Sequence, residues 1–173
     1  VNWMSPLFTI VGVIIGSGVT LLVEQWRWQR DHQREAKQIL RETFVSYLTH
    51  TARAHESMRQ VSEGVHSSPD ERRLAILAAF TEANVYEERF RLTMLAPTHV
   101  VELAVHSFRK CRAVRDLLAS GTETSDDAFR SAQLEYFRAV QATSDAMRKE
   151  LGIPKLLFVP LGYPPDQPPV TPL

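Results

Sequence analysis

Leu40-Arg-Glu-Thr-Phe44-Val-Ser-Tyr47-Leu-Thr-His-Thr51-Ala-Arg-Ala54-His-Glu-Ser-Met58-Arg-Gln-Val61 is the stretch on which the fold turns. Leu40, Phe44, Tyr47, Thr51, Ala54, Met58 and Val61 recur at alternating steps of four and three, which lines them along one face of an α-helix. Such a face is stable only when other helices cover it, so the spacing predicts a bundle or coiled-coil seam. Neither Gly nor Pro interrupts residues 24–63, and the helix is expected to run until Gly64 stops it.

Downstream, the punctuation is helical throughout. Ser68-Pro-Asp-Glu71 combines a capping box with Pro at the first helical position. It opens a helix expected to carry Leu74, Leu77, Ala78, Thr81, Val85, Leu92 and Leu95 on its inner face. At Ala96-Pro97 the missing backbone donor and the restricted preceding residue either reverse or kink the chain. A third helix from Pro97 to about Ala119 turns Val101, Ala104, Phe108, Cys111 and Leu118 inward, and Gly121 closes it. Thr124-Ser-Asp-Asp127 opens a fourth, with the stripe Phe129, Tyr136, Val140, Thr143 and Met147, which stops at Leu151-Gly-Ile-Pro154. No segment alternates with period two, so no sheet is expected. The four pieces, 37–63, 69–95, 97–119 and 125–151, have similar lengths and short joints. They predict an all-α, antiparallel four-helix bundle over residues 37–151, closed within one chain or between two.

Upstream of the seam, residues 24–36 are polar all round, as a solvated helical stalk would be. Before them lies Pro6-Leu-Phe-Thr-Ile-Val-Gly-Val-Ile-Ile-Gly-Ser-Gly-Val-Thr-Leu-Leu-Val23, in which 11 of 18 residues are Val, Ile, Leu or Phe. All 40 charged residues lie beyond residue 23. As a helix the run covers roughly 27 Å, close to the hydrocarbon thickness of a bilayer. A buried core helix rarely reaches this length without a charge. A cleaved signal peptide should show a basic leader and a small-x-small site, and neither is present. The run is therefore expected to be an uncleaved transmembrane helix over 6–23. Trp3 on one side, with Trp26, Arg27, Trp28 and Arg30 on the other, suits the two membrane interfaces. Arg27, Arg30, Arg34 and Lys37 flank only the C-terminal side, so the positive-inside rule places residues 1–5 outside the cell membrane and the remainder in the cytoplasm. Gly12, Gly16 and Thr20 share one face of the span, where absent side chains let a second backbone approach; a homodimer through this helix is expected from that face.

Residues 152–173 differ again. Seven of the chain's ten prolines fall there, which forbids helix and favours an irregular or polyproline II tail. Leu156-Leu-Phe-Val159 is apolar and is expected to pack back on the bundle.

Chemistry is sparse. The balance of 20 basic against 20 acidic residues argues against a nucleic-acid partner. One cysteine excludes an internal disulfide and any CxxC site. Glu102-Leu-Ala-Val-His106 is one residue too long for the Glu-x-x-His of di-iron bundles, and His50 and His55 point to different sides of their helix. Cys111 falls on an apolar face and reads as a small hydrophobe. No catalytic, cofactor or metal residue is expected, and no enzyme. Glu88 falls at an inward position and needs a basic partner or a rotated helix.

The layout from residue 6 to about 120 resembles bacterial single-span membrane proteins of no assigned activity that carry a cytoplasmic helical bundle. The likeness lies in the Val/Gly-rich helix Ile10-Val-Gly-Val-Ile-Ile-Gly16, the juxtamembrane Gln25-Trp-Arg-Trp-Gln-Arg30 and the break Leu92-Thr-Met-Leu-Ala-Pro97. These motifs are structural, and the resemblance implies no reaction. The leading expectation is a membrane-anchored helical scaffold that self-associates or binds a cytoplasmic protein. Two alternatives stand beside it: a ligand-binding or enzymatic bundle using Glu88, Tyr47 and Tyr136, and a membrane-perturbing effector with the bundle as its sensor.

Overall fold

Five helices follow one another: α1 (Met4–Ser62), α2 (Pro69–Glu82), α3 (Val85–Leu95), α4 (Thr98–Ala119) and α5 (Asp127–Glu150). The structure, a computed structural model, describes the backbone of residues 4–154 and the side chains of Trp28, His32 and residues 34–154. By its contacts the chain divides into two units, residues 1–39 and 40–173. In the first, Trp28 meets His32 edge-on at 4.1 Å between ring centroids. The second is all-α, with four helical arms packed as a bundle; α2 and α3 together make one arm.

The seam on α1 buries as its spacing requires. Phe44, Tyr47, Thr51, Ala54 and Met58 are enclosed, with Leu40 and Val61 half-buried at the ends. α4 answers with Val100, Ala104, Ser107, Phe108, Cys111, Val114 and Leu118, and α5 with Phe129, Tyr136, Ala139, Thr143 and Met147. Val101 and Val140 lie at the edge of these stripes and are half-buried. Each enclosed Leu, Phe or Met contributes about 1.5–3 kcal/mol relative to exposure, which makes these three faces the main source of stability. α4 and α5 run antiparallel: His99 meets Glu150 at 3.2 Å near one end, and Lys110 meets Glu135 at 2.6 Å further along. α1 opposes α5 in the same sense, with Thr51 beside Tyr136 and Glu63 beside Thr124.

The helix ends follow their sequence signals. Ser68 Oγ accepts from the Glu71 backbone N–H, and the Glu71 carboxylate accepts from the Ser67 backbone N–H at 2.7 Å. Gly121 (φ +102) and Gly152 (φ +70) take the left-handed conformation that closes α4 and α5. In both, the next residue's N–H returns to a carbonyl five residues back, Thr122 to Leu117 and Ile153 to Arg148. At Pro97 the chain reverses. Ala96 and Pro97 are both extended, and the second arm lies against α4, with the Phe80 and Phe108 rings 6.0 Å apart.

The second arm departs from expectation. The single helix expected over 69–95 is broken at Ala83 and Asn84, where Asn84 adopts φ +54. Asn is among the few non-glycine residues that take this conformation readily, so the break carries no Gly or Pro signal. The inner face changes with it. Ile76, Ala79, Phe80, Ala83, Val85 and Leu92 are buried. Leu74 and Leu95 are 67% and 46% exposed, Ala78 and Thr81 are exposed, and Leu77 is half-buried. Leu74-Ala-Ile-Leu-Ala-Ala-Phe80 is apolar at every position, so periodicity alone does not choose its buried side.

Truncating Ile76 and Leu74 to Ala tests this face. Ile76→Ala is expected to lower unfolding free energy by about 2–5 kcal/mol and Leu74→Ala by less than about 0.5 kcal/mol, measured by urea denaturation. At the break, Asn84→Val is expected to cost about 1–2 kcal/mol while Asn84→Gly is close to neutral.

Candidate functional site

The buried apolar residues form two clusters, and polar side chains sit where they meet. One cluster holds Ala54, Met58, Ile76, Phe80, Phe108 and Phe129; the other holds Phe44, Leu92, Val100, Ala104 and Met147. Thr51 on α1, Ser107 on α4 and Thr143 on α5 fall between them in sequence register, and all three are fully buried. Glu88 holds the same register position on α3, between Val85 and Leu92. Two of the inward polar residues flagged in the sequence, Tyr47 and Tyr136, come together here through Thr51.

Hydrogen bonds close this layer from within. Tyr47 donates its phenol to the Ala104 carbonyl at 2.7 Å, and the Ser107 hydroxyl lies 2.9 Å from the same phenol oxygen. Thr51 donates to the Tyr47 carbonyl at 2.7 Å, and Thr143 to the Ala139 carbonyl at 2.8 Å. Tyr136 reaches across from α5 and donates to the Thr51 carbonyl at 3.1 Å. His55 is 6% exposed. It stacks on Tyr136 at 4.9 Å between centroids and 9° between planes, and its Nε2 lies 3.3 Å from Gln133 Nε2. A neutral ring with its proton on Nδ1 accepts that contact.

Burial suppresses ionisation throughout the layer. Desolvation pushes the Tyr47 phenol up to about 12, with the Ser107 hydrogen bond opposing it. It pushes the Cys111 thiol up to about 12 and raises the Tyr136 phenol as well. It lowers His55 to about 4, because a charged imidazole has lost its water. At neutral pH these four groups are uncharged. Neither a thiolate, a phenolate nor an imidazolium is therefore supplied by Cys111, Tyr47, Tyr136 or His55 at that pH. Glu88 is half-buried, its Oε2 is enclosed without a hydrogen-bond partner, and among the described residues no basic side chain forms an ion pair with it.

A second region is an open cleft of about 830 Å³ at the end of the bundle where α1 meets α2 and α4 meets α5. Ser62, His66, Ser68, Gly121 and Thr124 line it with Arg72. The Arg72 guanidinium donates to the Gly121 and Thr122 carbonyls at 3.2 and 2.8 Å, which ties the second arm to the α4–α5 loop. His66 closes on the Val61 carbonyl at 2.7 Å. Among the described residues no group of three His, Cys, Asp or Glu side chains is placed to hold a metal ion.

Among the described residues no helix is long and apolar enough to cross a membrane. The side chains of the expected span and its flanks (Trp3, Gly12, Gly16, Thr20, Trp26, Arg27 and Arg30) lie outside the described residues, as does the tail from residue 155. Trp28 is described and is 67% exposed. Comparison with protein-family models, with curated proteins and with solved structures gave no match.

His55 makes stability depend on acid. Unfolded, the ring titrates near 6.5; folded, near 4. Between these values only the unfolded chain takes the proton. The contribution is therefore full above pH 6.5, declines as pH falls toward 4 and is absent below, about 3 kcal/mol in all. Urea midpoints measured from pH 7.5 to 3.5 should fall across that window, and the fall should shrink in His55→Phe, which keeps the ring on Tyr136.

Proposed function

We propose that the chain is a single-pass, membrane-anchored helical interaction protein. Residues 1–5 lie outside the cell membrane, and the bundle lies in the cytoplasm, where it self-associates or engages another protein. The observation that carries this reading is the chargeless run 6–23 with basic residues on one flank only. The bundle supports it from a different direction. Tyr47 and Tyr136, two of the three residues a ligand-binding interior would use, are committed to internal hydrogen bonds. Interaction is thereby left to the outer surfaces of the helices. The resemblance to bacterial single-span proteins rests on sequence layout and agrees with it.

A second reading, a bundle that binds a small cationic ligand, has one observation in its favour: the unpartnered Oε2 of Glu88. Glu88→Leu separates the two. In an interaction protein the substitution removes an unsatisfied buried acceptor and is expected to raise stability by about 1 kcal/mol. In a ligand-binding bundle it abolishes a ligand-dependent rise in melting temperature.

The anchor is tested by alkaline carbonate extraction of membranes from cells expressing the whole chain. The protein is expected to remain in the pellet. Ile14→Arg with Ile15→Arg, at about 3 kcal/mol against insertion for each charge, is expected to move it to the supernatant. Release of the unaltered chain by carbonate refutes the anchor.

A further inference from the structure

The outer side of α3 carries an apolar stripe that no other described element covers. Tyr86, Phe90 and Met94 stand one turn apart and are 39%, 64% and 82% exposed. Single exposed hydrophobes are ordinary; three in line on one helical face are a surface. The stripe is also held in place. Tyr86 packs edge-on against Phe80 and Phe108, and the Arg89 guanidinium lies over Tyr86, Phe90 and Phe108 at 5.8, 5.2 and 4.6 Å. The aromatic rings are thus presented on a rigid base, as a binding surface requires.

The charges beside the stripe say what it fits. Glu87 and Arg91 are both exposed, lie one turn apart along the same flank and make no ion pair among the described residues. When two identical helices pack antiparallel about a two-fold axis, each flank meets its own copy reversed. An axis passing near Arg89 sets Glu87 of each copy opposite Arg91 of the other, twice, with the two Phe90 rings astride the axis. Parallel packing in register offers no such exchange.

We propose that this face of α3 pairs antiparallel with the same face of a second copy. The inference deepens the self-association reading, names its surface and does not require residues 6–23. The exposed apolar area is on the order of 400 Å² per copy, against the roughly 800 Å² per partner of a standard interface, so the dimer is a dissociable one.

The test uses the whole chain in native membranes with Phe90→Cys and a short bismaleimide. Cys111 is fully buried and stays silent. F90C is expected to give a crosslinked dimer, and Ala113→Cys, on the outside of α4, is not. E87R and R91E are each expected to lower the F90C yield several-fold, and E87R with R91E to restore it, because the swapped pair is again complementary. Circular dichroism melts of all variants should coincide, since every altered side chain is exposed. Yield no higher than that of A113C overturns the proposal, and so does crosslinking to a different polypeptide. Failure of the double swap to restore the yield overturns it as well. Carbonate retention of the same samples reports on the anchor separately, so loss of pairing with retention intact leaves the membrane reading standing.

Discussion

A phenol buried on an apolar seam must find a hydrogen-bond acceptor, and the rest of the bundle is arranged around how Tyr47 does so. Its partner is the Ala104 carbonyl on a different helix. That carbonyl lies inside α4, where its own helical bond leaves a second lone pair to accept. A seam of Phe, Met and Ala slides by a turn with little change in buried area, whereas a phenol displaced by a turn loses its acceptor and strands a polar group. Tyr136 adds the same condition between α5 and α1 through the Thr51 carbonyl. Two phenols thereby set the axial positions of three helices. The apolar clusters on either side supply the free energy; the phenols select one register for it.

The layer that fixes register is chemically quiet for the same reason. Enclosure deep enough to enforce the Tyr47 bond also pushes its phenol up to about 12 and His55 down to about 4. A site for acid–base work needs partial solvation or a charged neighbour to bring such values toward neutrality. Here desolvation outweighs the groups that oppose it, the Ser107 and Thr51 hydroxyls and Arg89 at Tyr47 and the Glu56 carboxylate at His55. Under the proposed interaction role, selectivity among partners would come from the exterior, where residue identity is free of these packing demands.

Helices α1, α4 and α5 were legible in the sequence because each carries a stripe broken by charged residues at the right intervals. Arg53, Glu56 and Gln60 leave no doubt which side of α1 faces out, and Gly121 and Gly152 mark helix ends through a conformation only glycine takes cheaply. The second arm was legible in existence and not in facing. Its first half is apolar all round, and its break falls on Asn84, a residue equally at home within a helix and in the left-handed region. The polar layer was half-visible. Tyr47, Thr51, Tyr136 and Thr143 belong to the stripes, but Ser107 and His55 do not stand out. Their burial follows from the depth of the bundle at its middle, which no single helix encodes.

The break at Asn84 also accounts for the exposed stripe. The buried face of α2, Ile76, Phe80 and Ala83, advances by four and then three. Continued without interruption, it arrives next at Glu87, Phe90 and Met94. A straight helix would therefore bury Phe90 and Met94, but it would draw the Glu87 carboxylate inward and turn Val85 and Leu92 out. With the kink, Val85 and Leu92 take the interior and Glu87 stays in water. The kink does not free the interior of carboxylates, since Glu88 then holds the register position between Val85 and Leu92 with its Oε2 buried; what it changes is which apolar pair is enclosed, Val85 and Leu92 in place of Phe90 and Met94. Phe90 and Met94 are on the surface because the arm bends away from their inward register, and a partner that covers them recovers burial that the fold itself gave up.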